Sequence, residues 1–462
     1  MSALPSPPSP PRLAGSRVVV VGASKSGVAM ARFLMSRQAS VVLTDAKPLE
    51  SLGADVRTLG REGAKLELGG HDAASFTSAD LVAVSPGVPL TLEAIVKARR
   101  GGVRVVGEIE LASWFLQGIL IGITGTNGKS TTTALTAHLL AQAGLRATAC
   151  GNIGLPLTDL IPKDAPDHYY VVELSSFQLE GIDTFRPWIA ALLNLAPDHQ
   201  DRYPDPVPYY QAKSRIFRNQ GRADHAILNR DDAEVWGLSK DLTAHVHPFS
   251  REATVEEGAC LKGDRIVVRR DGRDIRAIPL ASIPLFGAHN IENVMAALLI
   301  TDLCGVPLPR AERALASFRG LPHRLEQLRS IGGVTWYNDS KATNVSATIK
   351  SLESFPGKVV LILGGKDKGG DFTQLVPLIE RRVTHLVLMG QARDAIAAQI
   401  GAVVPTTKVA DMKEAVEAAR AAAVDGGVVL LAPACASFDQ YSGFDERGED
   451  FRRLVLRLPP RS

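Results

Sequence analysis

Cysteine is scarce in this chain: Cys150, Cys260, Cys304 and Cys435 are the only four among 462 residues, and no two form a CxxC pair. That spacing argues against a zinc site and a disulfide framework, and it fits a reducing, cytoplasmic setting. Charge of one sign is not in excess either. A formal net charge of +3, with 22% of residues charged, is too small a bias to point to a nucleic-acid partner. Long apolar runs are missing: the chain is 45% hydrophobic, yet no run is long enough to span a bilayer, so no membrane insertion is expected. The opening MSALPSPPSPPRLAG has neither the basic start nor the apolar core of a signal peptide, and residues 1–16 read as a disordered Pro-rich tail. No repeat at solenoid periods is present. Length alone then suggests about three domains.

What is present is a βα rhythm in three blocks, an α/β architecture. The first block, 17–107, has strands at 17–22, 41–45 and 81–84 with a helix over roughly 27–37. It reads as a Rossmann-like parallel sheet. Its turn Gly22-Ala-Ser-Lys-Ser-Gly27 resembles a dinucleotide fingerprint, but Ser24 stands where the middle glycine brings backbone close to a pyrophosphate. Two readings stay open: a sheet without ligand, or a different nucleotide above Ser24, Lys25 and Ser26 with Asp45 facing a ribose.

The second block, 108–320, carries the most informative stretch: an apolar strand, then Gly125-Thr126-Asn127-Gly128-Lys129-Ser130-Thr131, then a helix-forming run. Such a turn points backbone N–H groups at phosphate oxygens at a helix N-terminus, while Lys129 neutralises charge and the Ser130 hydroxyl is placed to ligate Mg²⁺. The block reads as a P-loop-type ATPase domain, with Ile123 in place of the first Walker glycine. The runs 265–270 and 273–278 around Asp271-Gly272 add a hairpin, hence a small antiparallel sheet. Glu173 ends the strand 169–173, where its carboxylate would reach a metal on ATP; an exposed or capping Glu is the alternative. Asp198-His199-Gln200-Asp201 follows the strand 189–195, with Lys213 downstream. By residue type this is a solvated polar loop, but strand C-terminal ends are where such sheets bind ligands.

The third block, 321–462, begins at Leu321-Pro322-His323-Arg324 and repeats the rhythm at 359–365, 385–390 and 428–434, a second Rossmann-like sheet. Two strand-end segments, 364–372 and 433–440, have small residues that leave room for a small ligand, with Lys368 and Ser437 offering charge and hydrogen bonds to a carboxylate. An ordinary glycine-rich loop is the other reading.

The ordered strings GTNGKST, GNIGLP, ELSSFQLE, NLAPDHQDRY, AHNIENVMAA, LPHRLE, NDSKATN and PACASFDQ resemble the Mur ligases of peptidoglycan assembly. With SPGV, GEIEL and YSGFDERGEDF, the likeness is greatest to the branch that adds D-glutamate. It runs from about residue 17 to the end. Folylpolyglutamate synthetase-like enzymes, other Mur ligases, and a non-ligase nucleotide-binding regulator are the alternatives. The resemblance implies an ATP-dependent carboxylate–amine ligase, cytoplasmic and monomeric, with UDP-N-acetylmuramoyl-L-alanine, D-glutamate and ATP as substrates and two Mg²⁺ ions. It implies Lys129, Ser130 and Glu173 on phosphate and metal, and a second metal site at His199 and a carbamylated Lys213. Asn290, Asn293, Arg324 and Asp339 fall at nucleotide positions. Asn152 falls near the precursor, for which Ser85 and Gly87 are further candidates. Thr343, Lys368, Ser437 and Phe444 fall at the D-glutamate pocket. Ala46-Lys47 depart from the polar pair expected beside uracil.

Overall fold

The computed structural model describes residues 11–459 apart from Asp201, Phe286 and Lys368, and it divides into two compact units, 1–282 with 292–316 and 283–291 with 317–462. Each unit is organised by parallel sheet, because strands such as Val18–Val21 and Ile119–Thr124 are buried on both faces and need helices on each side.

The first unit contains two sheets. One is a five-stranded parallel sheet in the order Lys65–Leu68, Ser40–Asp45, Arg17–Val21, Leu81–Val84, Arg104–Gly107. The helix Lys25–Ser36 buries Val28, Met30, Phe33 and Leu34, an apolar face at helical spacing. Leu13, within the stretch read as a tail, is 5% exposed and belongs to the same core, and the Gly15 amide donates to Gln38 O at 2.9 Å. The described end of that stretch is therefore tied to the domain. The turns after Arg17–Val21 and Leu81–Val84 lie side by side where the strand order reverses, the usual ligand crevice of an open α/β sheet.

The other sheet of this unit has nine strands. The hairpin Arg265–Arg270 and Arg273–Pro279 forms as expected, but it is not a separate sheet: with Gly258–Lys262 it continues the parallel one past His245–Ser250. Ile119–Thr124 lies between Tyr169–Glu173 and Ile189–Leu192, and the registers Ile123↔Glu173 and Thr124↔Leu192 bring three strand ends to one edge. The third of these strands stops at Leu192 rather than 195, because the backbone beyond it is drawn onto the glycine-rich loop. Between the two sheets, the buried Glu110 carboxylate accepts from the amides of Asp183, Thr184 and Phe185, each at 2.8 Å. A carboxylate with that many charge-assisted bonds is a rigid joint.

The second unit holds a six-stranded sheet in which Val334–Asn338, Val428–Leu431 and Val359–Gly364 are neighbours. The pairs Asn338↔Leu431 and Ile362↔Leu431 place the loops 339–344, 432–440 and 365–372 at one edge.

Candidate active site

The loop after Ile119–Thr124 is shaped by Gly125 (φ 153°) and Gly128 (φ 81°), and a Cβ on Gly128 would sit 2.2 Å from Asn293 Oδ1. Only glycine lets the chain turn there and start the helix Lys129–Gln142, whose first N–H groups face outward from its N-terminus. Asn194 clamps the loop from the neighbouring strand. Its Oδ1 accepts from the Asn127 amide at 2.7 Å, its Nδ2 donates to Asn127 O at 3.1 Å, and its O accepts from the Thr126 amide at 2.9 Å. Thr132 Oγ1 donates to Asn293 Oδ1 at 3.1 Å, which brings one expected nucleotide residue onto the loop's helix. Sequence reading passed over the role of Asn194, which is brought to the loop by the pairing of Ile189–Leu192 with Ile119–Thr124.

Two lysines converge on this loop. Lys129 Nζ donates to Gly125 O and Thr126 O, both at 2.7 Å, and Lys213 Nζ donates to the same Gly125 O at 2.8 Å. Lys213 is 1% exposed, and its Nζ lies 4.7 Å from the centre of the Tyr209 ring. Burial first, and then the charge of Lys129, hold its pKa well below the ordinary lysine value, against the opposing pull of Asp198 and Glu173. Lys213 is therefore uncharged more often than any surface lysine, and its amine is correspondingly more nucleophilic.

Glu173 is 1% exposed; its Oε1 accepts from Asn152 Nδ2 at 2.7 Å, while its Oε2 is buried with no hydrogen-bond partner among the described residues. A buried carboxylate oxygen left open is costly unless a donor or cation meets it. Ser130, in the first turn of the helix Lys129–Gln142, is 4% exposed. His199 adopts φ 53° and lies among aromatic rings, 4.9 Å from Phe177 and 6.1 Å from Tyr209 between centroids. Its loop is fastened by Glu180, which binds Arg202 Nη2 at 2.6 Å and the Tyr203 hydroxyl at 2.5 Å. Among the described residues no three His, Cys, Asp or Glu side chains form a ready metal cluster. The donor set thus fits a cation at Glu173 and Ser130 directly, and a second at His199 only if Lys213 becomes an anion.

In the five-stranded sheet, Asp45 spends its carboxylate on the Ala23 amide (2.7 Å) and the Lys47 amide (2.9 Å), bracing the Gly22–Gly27 turn. Ser85 Oγ donates to Gly22 O at 2.9 Å, and Lys25 Nζ reaches Gly154 O at 2.7 Å. Ser24, whose side chain makes no capping hydrogen bond, and Gly87 flank the same crevice.

In the second unit Asp339 is 8% exposed, receives a hydrogen bond from the Ser351 hydroxyl, and has its pKa raised by burial, with Ser351 and Arg324 opposing. His323 (φ 63°) and Leu325 (φ 40°) flank Arg324 in left-handed backbone, a strained approach to that side chain. Thr343 and Ser437 come to the same strand-end edge, and Phe444 begins the helix Phe444–Leu456 with Lys341 Nζ 3.8 Å over its ring. Asn290 is buried in this unit. Lys368 lies outside the described residues. Sequence reading also passed over Arg447, which is 1% exposed and donates to Ser340 Oγ (3.0 Å) and to the carbonyls of Ser340 (2.9 Å), Cys435 (3.1 Å), Ala436 (3.2 Å) and Gly364 (3.4 Å). It pins the three loops together. No signal in the helix sequence FDERGEDF distinguishes it from its surface charges.

Residues 16–107 match the Mur ligase MurD-like N-terminal domain, 123–301 the Mur ligase middle domain, and 323–435 the Mur ligase glutamate ligase domain. The chain is 45% identical over 446 residues to a UDP-N-acetylmuramoylalanine--D-glutamate ligase of Geotalea uraniireducens, covering 96% of this chain and 98% of that one. It is 44% identical to the enzyme of the same name from Acidobacterium capsulatum, covering 96% and 97%. Among solved structures, a pseudomurein peptide ligase type C from Methanothermus fervidus aligns with a TM-score of 0.60 at 17% identity, over 96% of this chain and 100% of the other. UDP-N-acetylmuramate-alanine ligase from Thermotoga maritima aligns with a TM-score of 0.59 at 19% identity, over 96% and 99%. These structural likenesses concern the fold.

Proposed function

The chain belongs to the Mur ligase family, and from that premise we propose that it joins D-glutamate to UDP-N-acetylmuramoyl-L-alanine at the expense of ATP, releasing ADP and phosphate in peptidoglycan precursor synthesis. The observation that carries this reading is the 45% identity spread over 96% of the chain. A carboxylate is a poor electrophile. Transfer of the γ-phosphoryl group to the alanine carboxylate of the precursor makes an acyl phosphate, and the D-glutamate amine then attacks that carbonyl and expels phosphate. Lys129 and the helix N-terminus behind it offset charge on the phosphates, so most of the work is positioning and electrostatics.

The five-stranded sheet, residues 17–107, takes the uridine end at Ser24, Lys25, Ser26, Asp45, Ser85 and Gly87. Residues 108–320 bind ATP through the loop 125–131 and Asn293. Residues 321–462 bind D-glutamate at Thr343, Lys368, Ser437 and Phe444. The open Glu173 Oε2 and Ser130 are the residues that hold Mg²⁺, with His199 and a carbamylated Lys213 as a second set. When bound, Mg²⁺ supplies charge neutralisation to the phosphates. Carbamylation balances simply: the Lys213 amine attacks CO₂, an N–C bond forms, one C=O pair moves to oxygen, and the amine proton leaves to solvent. The low pKa of Lys213 supports this chemistry. The setting is cytoplasmic, where ATP and UDP-linked precursors coexist, and the enzyme acts as a monomer.

Phosphate release with UDP-N-acetylmuramoyl-L-alanine and a panel of D- and L-amino acids tests the assignment. Release dependent on D-glutamate is expected; preference for another amino acid or precursor overturns it. For Lys213, ¹³C-bicarbonate should yield a carbamate resonance that Lys213→Ala lacks, and a parent protein without that resonance sinks the modification.

A further inference from the structure

Glu173 does not stand alone: the exposed Asn152 holds it twice, through its amide N–H to Glu173 O (2.9 Å) and through Nδ2 to Oε1 (2.7 Å). The approach is close because Gly151 adopts φ 93°, and a Cβ there would lie 2.4 Å from Glu173 O. Asn152 therefore stands between solvent and a carboxylate that is itself 1% exposed. An amide has two Nδ2 hydrogens; the described contacts use one, and Oδ1 makes no hydrogen bond among the described residues.

The loop that carries Asn152 is tied at both ends. Gly151 N donates to Leu155 O at 3.0 Å, closing the loop, and the buried Glu108 carboxylate accepts from the Thr158 amide at 2.7 Å and its hydroxyl at 3.0 Å. Lys25, from the Gly22–Gly27 turn of the first sheet, donates to Gly154 O at 2.7 Å. One short loop thus connects the turn of the first sheet to the open carboxylate of the second.

We propose that Asn152 is a positioning residue that couples precursor binding to metal binding: its amide bridges the precursor and Glu173, so that each ligand tightens the other. The coupling rests on the precursor and metal assignments of the ligase reading. With a precursor oxygen on its second Nδ2 hydrogen, the amide is held still, Glu173 Oε1 stays engaged, and Oε2 remains presented to the cation. A hydrogen-bond partner that orients a metal-ligating carboxylate is worth about 10–100-fold in metal affinity. By linkage, metal raises precursor affinity by the same factor that precursor raises metal affinity.

The test titrates Mn²⁺, as a paramagnetic probe, into the full chain without ATP, with and without saturating UDP-N-acetylmuramoyl-L-alanine. In the parent the precursor should tighten Mn²⁺ by about fivefold or more. In Asn152→Ala that gain should fall below about twofold, with an unchanged melting temperature. Asn152→Asp sets a second carboxylate beside Glu173 and should bind Mn²⁺ tighter than the parent without precursor, a gain that misfolding cannot produce. Equal tightening in parent and Asn152→Ala, or no gain in Asn152→Asp, overturns the coupling while leaving the ligase reading intact. A parent that binds no precursor at all removes both.

Discussion

Lys213 and Arg447 are both buried cations, and among the described residues neither is ion-paired, yet their surroundings differ. Lys213 meets one carbonyl, Gly125 O, which it shares with Lys129. Arg447 meets four carbonyls and a hydroxyl, and burial lowers its pKa only to about 10. The number of oxygen acceptors decides the outcome. A guanidinium spread over five acceptors keeps its charge and acts as a permanent staple for the loops of the second unit. An ammonium with one shared acceptor is left poorly compensated beside another cation, so the neutral, reactive amine is favoured.

The sharpest way to break this contrast is to remove each cation. Lys213→Ala should lose essentially all ligation and regain part of it with added short carboxylates that stand in for a carbamate; full activity in the unrescued variant would make Lys213 a staple like Arg447. Lys129→Ala should lower turnover on the order of 10²–10³-fold, by analogy with other donors to developing charge. Its melting temperature should not change, since Lys129 rests on its own loop. Phosphate release and a thermal melt check both halves. Arg447→Met should act oppositely, through the fold: five oxygens lose their donor, and stability should drop by about 3 kcal/mol. Urea unfolding reads this, and an undiminished midpoint would remove the staple.

A smaller effect comes from a pair of partly buried histidines. His247 is buried beside His225 (Nδ1···Nε2 2.9 Å), and burial, with His225, His245 and Arg270 adding to it, lowers its pKa to about 4. The unfolded chain takes up this proton near pH 6.5, the folded one only near 4. Stability contributed by the neutral ring is thus complete above about pH 6.5 and falls as pH drops toward 4, by about 1–3 kcal/mol. Urea midpoints at pH 7.5 and 5 should differ less in His247→Gln than in the parent; equal differences would mean that other groups carry the acid sensitivity.

Many strands were legible, because βα alternation, glycine turns and apolar strands are local patterns. The helix Lys25–Ser36 and the hairpin around Asp271-Gly272 formed close to their expected places. The strings that carry phosphate and metal chemistry were legible for the same reason: each is a short run at a strand end. Partnerships were not. Asn194 as the clamp of the phosphate loop, Asn152 as the support of Glu173 and Arg447 as the staple all join segments distant in the chain.

The sequence by itself determined three blocks of alternating strand and helix, the glycine-rich turn before Lys129, and a family likeness specific enough to name the reaction. Only the tertiary structure decided that the hairpin extends the parallel sheet, that Glu173 keeps one oxygen open, and that Lys213 is stripped of water beside Lys129. The reason is physical. Turn and helix preferences act between neighbours along the chain, whereas burial, desolvation and the choice of a hydrogen-bond partner depend on which strands come to lie side by side.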